Sequence, residues 1–290
     1  MSCRTPAQSK KSVTDLRATV DSGGKLVMVT AYDSPTAHIA DAAGVDIILV
    51  GDSVGNVCLG FENTIPVTMA MMCHHLEAVM RAHPKAFLMA DLPFLTYHLS
   101  VEDALKNAGR LIQSGAQAVK LEGGGENRTG VICALVDAGI PVMGHIGLTP
   151  QSMHSLGGHK VQGRGEAEAT RLLKEAQLLE EAGCFSVLME CIPKELAARV
   201  TKTLNIFTIG IGAGKNCSGQ VLVFHDILGI NRGPFPKFVR KYMDGFNQML
   251  TALSKWSNDV KKGTFPSDQE SYSLTKAATK KLAAGSSKAD

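Results

Sequence analysis

The stretch Ile47-Ile48-Leu49-Val50-Gly51-Asp52-Ser53-Val54-Gly55 runs four apolar residues, two of them Ile and one Val, straight into an aspartate. With no polar residue on either parity, such a run reads as a strand buried on both faces, as in a parallel sheet covered by helices. A carboxylate at the end of that strand either caps the next helix or holds chemistry. Around Val45–Val50, the chain carries further apolar runs of strand length at Leu26–Thr30, Ala86–Ala90, Ala116–Leu121, Ile140–Met143, Phe185–Met189, Ile206–Ile209 and Val221–Phe224. Helical spacing links most of them. In Ser100–Ser114, for example, Val101, Leu105, Ala108, Leu111 and Ile112 share one face, with Ser100 and Asp103 as start signals and Gly115 as a stop. Gly44, Gly139 and Gly183 close other helical patterns.

Eight strands alternating with helices over about 250 residues favour an α/β fold of the (β/α)8 TIM-barrel type, with a doubly wound open sheet as the alternative. The expected organisation is a flexible segment over residues 1–17 and one barrel domain over residues 18–272. A C-terminal helix runs from after Pro236 to about Lys262, and residues 273–290 form a solvated, disordered tail. The loops Asp52 to Pro84 and Gly147 to Gly165 are longer than plain crossovers require, which marks them as functional or mobile.

The bulk composition excludes several classes. The 290 residues are 44% hydrophobic with a net charge of +3 and only 5% aromatic residues. That gives neither a basic stripe nor a stacking platform for nucleic acid. No apolar run is long enough to span a bilayer. Seven scattered cysteines without a C-x-x-C fit buried thiols in a reducing compartment. A cytoplasmic location is expected, and the basic, Ser/Thr-bearing start MSCRTPAQSKK leaves a mitochondrial one as the alternative.

In a parallel barrel the carboxyl ends of all strands meet at one face. The residues expected there are Asp33, Asp52 with Ser53, Asp91, Lys120 and Glu122, His145, Glu190, the glycines at 210–214, and His225 with Asp226. Asp33-Ser34-Pro35 reads as a helix cap followed by proline at the helix start, and Asp226 is undecided. Asp52 and Asp91 are followed by loop rather than helix, so capping is the weaker reading for both. Converging carboxylates repel one another unless a cation sits between them, and oxygen-only ligands favour a hard ion such as Mg2+. Lys120, two residues before Glu122, shares its strand face and is suited to a substrate carboxylate.

Other motifs fail. Gly210-Ile211-Gly212-Ala213-Gly214-Lys215 lacks the Gly at 209 and the Ser or Thr at 216 of a phosphate loop, and the third glycine of a dinucleotide fingerprint. His74 and His75 are adjacent and diverge around a helix. Met69, Met71 and Met72 read as core packing. Cys191 reads as a structural thiol, and Ser152 and Ser155 lack a nucleophile-elbow context.

The segments TAYD, VGDSVGN, ADLPF, VKLEGG, GHIGLTPQS, GGHKVQGR and GIGAG, in this order, resemble the ketopantoate hydroxymethyltransferase family from about Ala18 to Tyr272. The resemblance implies a Mg2+-dependent barrel enzyme of pantothenate and coenzyme A biosynthesis. It would move a hydroxymethyl group from 5,10-methylenetetrahydrofolate to 3-methyl-2-oxobutanoate through a Mg2+-stabilised enolate. Matched motif by motif, Asp52, Asp91 and Glu122 are implied metal-site residues, with Glu122 bound directly or through water. Asp52, Ser53, Asp91 and Lys120 are implied oxo-acid contacts, Glu190 the implied proton acceptor, and His145 a supporting residue. A homo-oligomer of stacked rings, a decamer, is implied as well, with no nucleic-acid or membrane partner. Glu270 stands where relatives often carry His, and Lys215-Asn216-Cys217-Ser218 is a variable region. The rival readings are another metal-dependent 2-oxo-acid carbon–carbon lyase or mutase on the same barrel, and a non-catalytic ring scaffold.

Overall fold

The computed structural model describes residues 10–285. Eight parallel strands close into a barrel: β1 (Leu26–Thr30), β2 (Ile47–Val50), β3 (Phe87–Asp91), β4 (Ala118–Glu122), β5 (Val142–Gly147), β6 (Ser186–Glu190), β7 (Phe207–Ile211) and β8 (Gly219–Leu222). Each pairs with its neighbour in chain order, and β8 returns to β1 with Leu26 opposite Gly219. The expected barrel is therefore the observed one.

Strand parity explains what fills it. One parity supplies the barrel interior with Met28, Leu49, Phe87, Met89, Ala118, Met143, Leu188, Phe207, Ile209 and Val221. The other parity, including Val29, Ile48, Leu88, Val119 and Val187, packs outward in the larger core beneath the helices. Following the inward parity toward the carboxyl ends, Phe87 and Met89 lead to Asp91, Ala118 leads to Lys120 and Glu122, Met143 leads to His145, and Leu188 leads to Glu190. The interior is thus apolar below and ionisable at the top.

The helices around the barrel are α1 (Val13–Asp21), α2 (Ser34–Ala42), α3 (Val54–Val57), α4 (Met69–Met80), α5 (Val101–Gln113), α6 (Glu126–Asp137), α7 (Met153–Leu156), α8 (Glu166–Glu181), α9 (Lys194–Thr203) and α10 (Phe224–Ile227). Helix α5 starts where the sequence indicates, with Ser100 Oγ accepting from Asp103 N at 3.0 Å.

Several expectations need correction. Residues 1–17 are not flexible throughout, because α1 begins at Val13. A capping box between Ser12 and Asp15 starts it, and its Leu16, fully buried, packs with Leu26, Met28 and Phe87 at the lower end of the barrel. Strands β3 to β7 extend one to four residues past their apolar runs, since ionisable residues (Asp91, Glu122, His145, Glu190) and, in β7, Gly210 and Ile211 still join the backbone ladder. The eighth strand lies earlier, at Gly219–Leu222, because Phe224 N turns to Thr30 Oγ1 (3.1 Å) and opens α10. Part of the expected tail is helical, as α12 (Lys276–Gly285), and the Ala and Lys that fill it are good helix formers. Residues 1–9 and 286–290 lie outside the described residues.

The compact unit holding the barrel ends at Tyr242, and a second unit starts at Met243. The second unit contains α11 (Gly245–Lys261) and α12. Within it Trp256 meets Phe265 edge to face, with ring centroids 6.3 Å apart. Helix α11 carries an exposed apolar series, Met249, Leu253, Trp256 and Val260, at helical spacing. Among the described residues, no helix is long and apolar enough to cross a membrane.

Candidate active site

The upper layer of the barrel opens into a cavity of about 520 Å³. Asp52, Ser53, Asp91, Lys120, Glu122, His145 and Glu190 all line it, so the residues the family resemblance implies converge here, whereas Asp33, His225 and the glycines at 210–214 do not line it. Its walls include Thr30, Leu49, Leu188, Ile211 and Val221, and its rim includes the segment Asn231–Phe238.

Register sets the neighbours. Asp91 lies opposite Lys120 on β3 and β4, and Glu122 opposite His145 on β4 and β5. The Lys120 ammonium sits 3.0 Å from Asp91 Oδ1, and both side chains are buried. The other Asp91 oxygen accepts from the backbone N–H of Asp52 at 3.0 Å. Gly51 makes room for this contact, because a Cβ there would meet Ser53 Oγ at 3.0 Å and Asp91 Oδ2 at 3.4 Å. Gly147 serves at the end of β5. Its φ is +95°, and a Cβ would collide with the Glu190 carbonyl oxygen in the opposing ladder position.

Asp52 is 5% exposed, and the structure modifies one part of its reading. A helix does follow it, since the single turn α3 begins at Val54. Its N-cap is Ser53, without a side-chain cap bond. The Asp52 carboxylate instead accepts from Gln151 Nε2 at 2.7 Å. Asp33 is the helix cap expected, accepting from Thr36 N at 2.8 Å with Pro35 in the first turn. Asp226 lies in α10 and faces the cavity, with Asn231 Nδ2 at 3.5 Å. Ser53 Oγ is 2.8 Å from the Tyr32 hydroxyl.

The electrostatics follow from crowding four carboxylates with one ammonium in a dry space. Burial, and then the Asp91 charge, push Asp52 up to about 7. Glu122 is raised well above the usual glutamate value, first by burial and then by Asp52. Burial alone would lower the Lys120 pKa, but Asp91, Glu122 and Asp52 outweigh it and hold the ammonium charged. His145 is driven far below its ordinary value by burial and by Lys120, which makes its ring neutral. Its Nδ1 lies 3.5 Å from Lys120 Nζ, a group with only protons to offer. Its Nε2 is 3.4 Å from Glu190 Oε2, without hydrogen-bond geometry. Burial raises Glu190 to about 7, against the opposing pull of Lys120.

Whether this chemistry suits a divalent cation can be tested on the donor set. Among the described residues no three His, Cys, Asp or Glu side chains form a ready cage. The Asp52 and Asp91 carboxylates are nevertheless close enough to raise Asp52, and Asp91 Oδ1 has no hydrogen bond of good geometry. Two crowded oxygen donors with open positions beside them fit a hard ion that keeps water or substrate in its shell. Glu122 is held differently, with Oε2 accepting from the Gln151 backbone N–H at 3.0 Å and Oε1 3.7 Å from His145 Nδ1.

Sequence reasoning overlooked Tyr97, Gln151 and the Asn231–Phe238 rim. Gln151 lies inside the quoted motif GHIGLTPQS, where Ser152 drew attention as a nucleophile. The available signal was a long polar amide between Pro150 and a serine in a loop directly after a barrel strand.

Fold and site together define a (β/α)8-barrel enzyme that works on a small molecule with buried carboxylates, an ammonium and a neutral imidazole. Comparison with known proteins supplies the particular family. The family model described as ketopantoate hydroxymethyltransferase matches residues 10–268. A 3-methyl-2-oxobutanoate hydroxymethyltransferase 2 of Bradyrhizobium diazoefficiens is 60% identical over 254 residues, covering 88% of this chain and 86% of that protein. The 3-methyl-2-oxobutanoate hydroxymethyltransferase of a Thermoanaerobacter species is 50% identical over 274 residues, covering 94% and 100%. Among solved structures, a phosphoenolpyruvate phosphomutase from Streptomyces platensis subsp. rosaceus aligns with a TM-score of 0.60 at 15% identity, over 96% of this chain and 99% of that one. A phosphonopyruvate hydrolase complexed with oxalate and Mg++ aligns with a TM-score of 0.59 at 14% identity, over 96% and 98%. At such identities the likeness is one of fold. The chain belongs to the ketopantoate hydroxymethyltransferase family and is a one-carbon group transferase of pantothenate biosynthesis.

Proposed function

We propose that the chain transfers the hydroxymethyl group of 5,10-methylenetetrahydrofolate to 3-methyl-2-oxobutanoate, giving 2-dehydropantoate (ketopantoate) through an enolate of the oxo acid. One water is consumed and tetrahydrofolate is released. The observation that carries this reading is the placement of Glu190. It is a half-buried carboxylate with a pKa near neutrality, in the same cavity as the Lys120 ammonium and the Asp52 and Asp91 pair.

Lys120 and Ser53 are the groups that bind the substrate carboxylate, through charge and through a hydroxyl. Leu49, Leu188, Ile211 and Val221 give the branched apolar end a dry wall. Glu190, in its ionised form, takes the C3 proton, and a base with a pKa close to the working pH suits that task. The neutral ring of His145 lies beside Glu190, with Nε2 3.4 Å from Oε2, and forms one wall of the place where that carboxylate works. Asp52 and Asp91 would hold Mg2+, with Glu122 as a further carboxylate of the same site. What a bound Mg2+ supplies is positive charge beside the keto oxygen, where negative charge develops.

A ring-stacked homo-oligomer, a decamer, belongs to the same proposal, and the exposed apolar series on α11 supports association. The six cysteines among the described residues are free, which supports a reducing, cytoplasmic location.

The test is direct. Purified protein is given both substrates, with a 13C label in the folate methylene, in Mg2+ and after EDTA treatment, and the products are read by mass spectrometry. Labelled ketopantoate that disappears on chelation is expected. Absence of label transfer overturns the assignment, and folate-independent cleavage of a 2-oxo acid would mark a lyase instead.

A further inference from the structure

Gln151 lies on the single 3-10 turn after β5 and is 3% exposed. Its side-chain amide donates from Nε2 both to Asp52 Oδ2, at 2.7 Å, and to the Leu92 carbonyl, at 3.0 Å. The Leu92 carbonyl can only accept, so the atom facing it and Asp52 is the nitrogen, and both of its hydrogens are used. Its Oε1 accepts from the Tyr97 hydroxyl at 2.8 Å. Tyr97, 1% exposed, in turn receives the backbone N–H of Glu122 at 3.1 Å, which directs its own proton to the amide. The backbone N–H of Gln151 donates to Glu122 Oε2 at 3.0 Å. One residue from a loop therefore ties together two carboxylates at the ends of different strands, Asp52 just past β2 and Glu122 at the end of β4. A flipped amide would set oxygen against oxygen at Asp52 and hydrogen against hydrogen at Tyr97.

We infer that Gln151 is a positioning residue for the cation site, its amide and backbone N–H fixing the Asp52 and Glu122 carboxylates while Tyr97 fixes which end of the amide faces them. The inference rests on the reading of Asp52 as a cation ligand. Groups that hydrogen-bond a metal ligand hold its orientation, and losing one typically weakens metal binding 10- to 100-fold.

The experiment reads binding of Mn2+ alone, without either substrate, from the free-ion paramagnetic resonance signal as full-length protein is titrated. Gln151→Met keeps the length of the side chain and removes both ends of the amide. It should weaken Mn2+ binding about 10- to 100-fold, with circular dichroism and the melting curve showing a folded barrel. Tyr97→Phe should weaken binding less, and the double variant should lose less than the sum of the two single losses, because the Tyr97 hydroxyl reaches Asp52 only through the amide. Mn2+ affinity within about twofold of wild type in a folded Gln151→Met protein would falsify the inference, and so would additive losses in the double variant. If Gln151→Met does not fold, Tyr97→Phe decides, and an unchanged affinity there overturns it. Asp52→Asn separates the two levels. Wild-type Mn2+ binding in that variant overturns the cation-ligand reading and the inference with it. Loss in Asp52→Asn with none in Gln151→Met overturns the positioning role alone.

Discussion

Replacing Glu190 by Gln should do two opposite things at once: stop proton abstraction from the oxo acid and stabilise the barrel above neutral pH. The wild-type carboxylate is 17% exposed and its pKa is raised from 4.5 to about 7, mainly by burial. As a base it must be ionised, and at pH 6 only about one tenth of it is. The rate of C3 exchange into deuterated water, followed by proton NMR without any folate, should therefore fall nearly tenfold per pH unit below about 7. In Glu190→Gln it should vanish. The stability effect has the opposite sign. Between 4.5 and about 7 the folded protein keeps a proton that the unfolded chain has released. The contribution of the group is thus full below 4.5 and lost as pH rises through about 7. At ~1.4 kcal/mol per pH unit, ionised Glu190 costs the fold on the order of 3 kcal/mol at pH 8. The neutral amide escapes most of that cost, so the variant should melt at a higher temperature than wild type at pH 8 and at nearly the same temperature at pH 4. Exchange at the wild-type rate in the folded variant would refute the role of base. An unchanged melting temperature at pH 8 would refute the desolvation argument behind it.

Three further outcomes follow from the same geometry. Asp52→Asn should leave the circular dichroism spectrum intact and abolish metal-dependent product formation, while normal turnover would return Asp52 to a structural role. Lys120→Met strips Asp91, Glu122 and Asp52 of their shared cation. Urea unfolding should show a loss of about 3–5 kcal/mol at pH 8, smaller at pH 6 where the raised carboxylates take up protons, and an equal loss at both pH values would contradict the charge argument. Leu16→Ala opens a void beneath the barrel. It should cost about 2–5 kcal/mol by denaturant unfolding with unchanged turnover per folded molecule, and a change in KM would show that the lower end communicates with the mouth.

The barrel was legible because the strands are mostly short apolar runs, and such runs declare burial on two faces before any contact is known. The ionisable residues were legible for a related reason: Asp91, Lys120, Glu122, His145 and Glu190 all interrupt or end an apolar strand pattern. Asp52 does not cap a helix, as expected, but not for lack of one, since α3 follows it at once with Ser53 as its N-cap. What set Asp52 apart was its partner Gln151, 99 residues away. That pairing leaves no local trace, because a loop amide becomes meaningful only when the fold lays it across a strand end. Tyr97 was hidden in the same way. The onset of α1 was missed because Ser12 and Asp15 lie in a basic, polar stretch where the capping box is outweighed by composition.

Leu16 at the foot of the barrel also bears on the order of events. With the lower end filled by this side chain and its apolar neighbours, the interior is a blind well, and ligands reach the reactive layer from above. Two reactants of unequal size cannot then exchange freely. In the proposed reaction the small oxo acid, bound at Lys120, would have to arrive before the bulky folate covers it. The spent folate would then have to depart before ketopantoate could leave. Saturating folate should accordingly slow the enzyme by trapping the well empty, an inhibition that added oxo acid relieves.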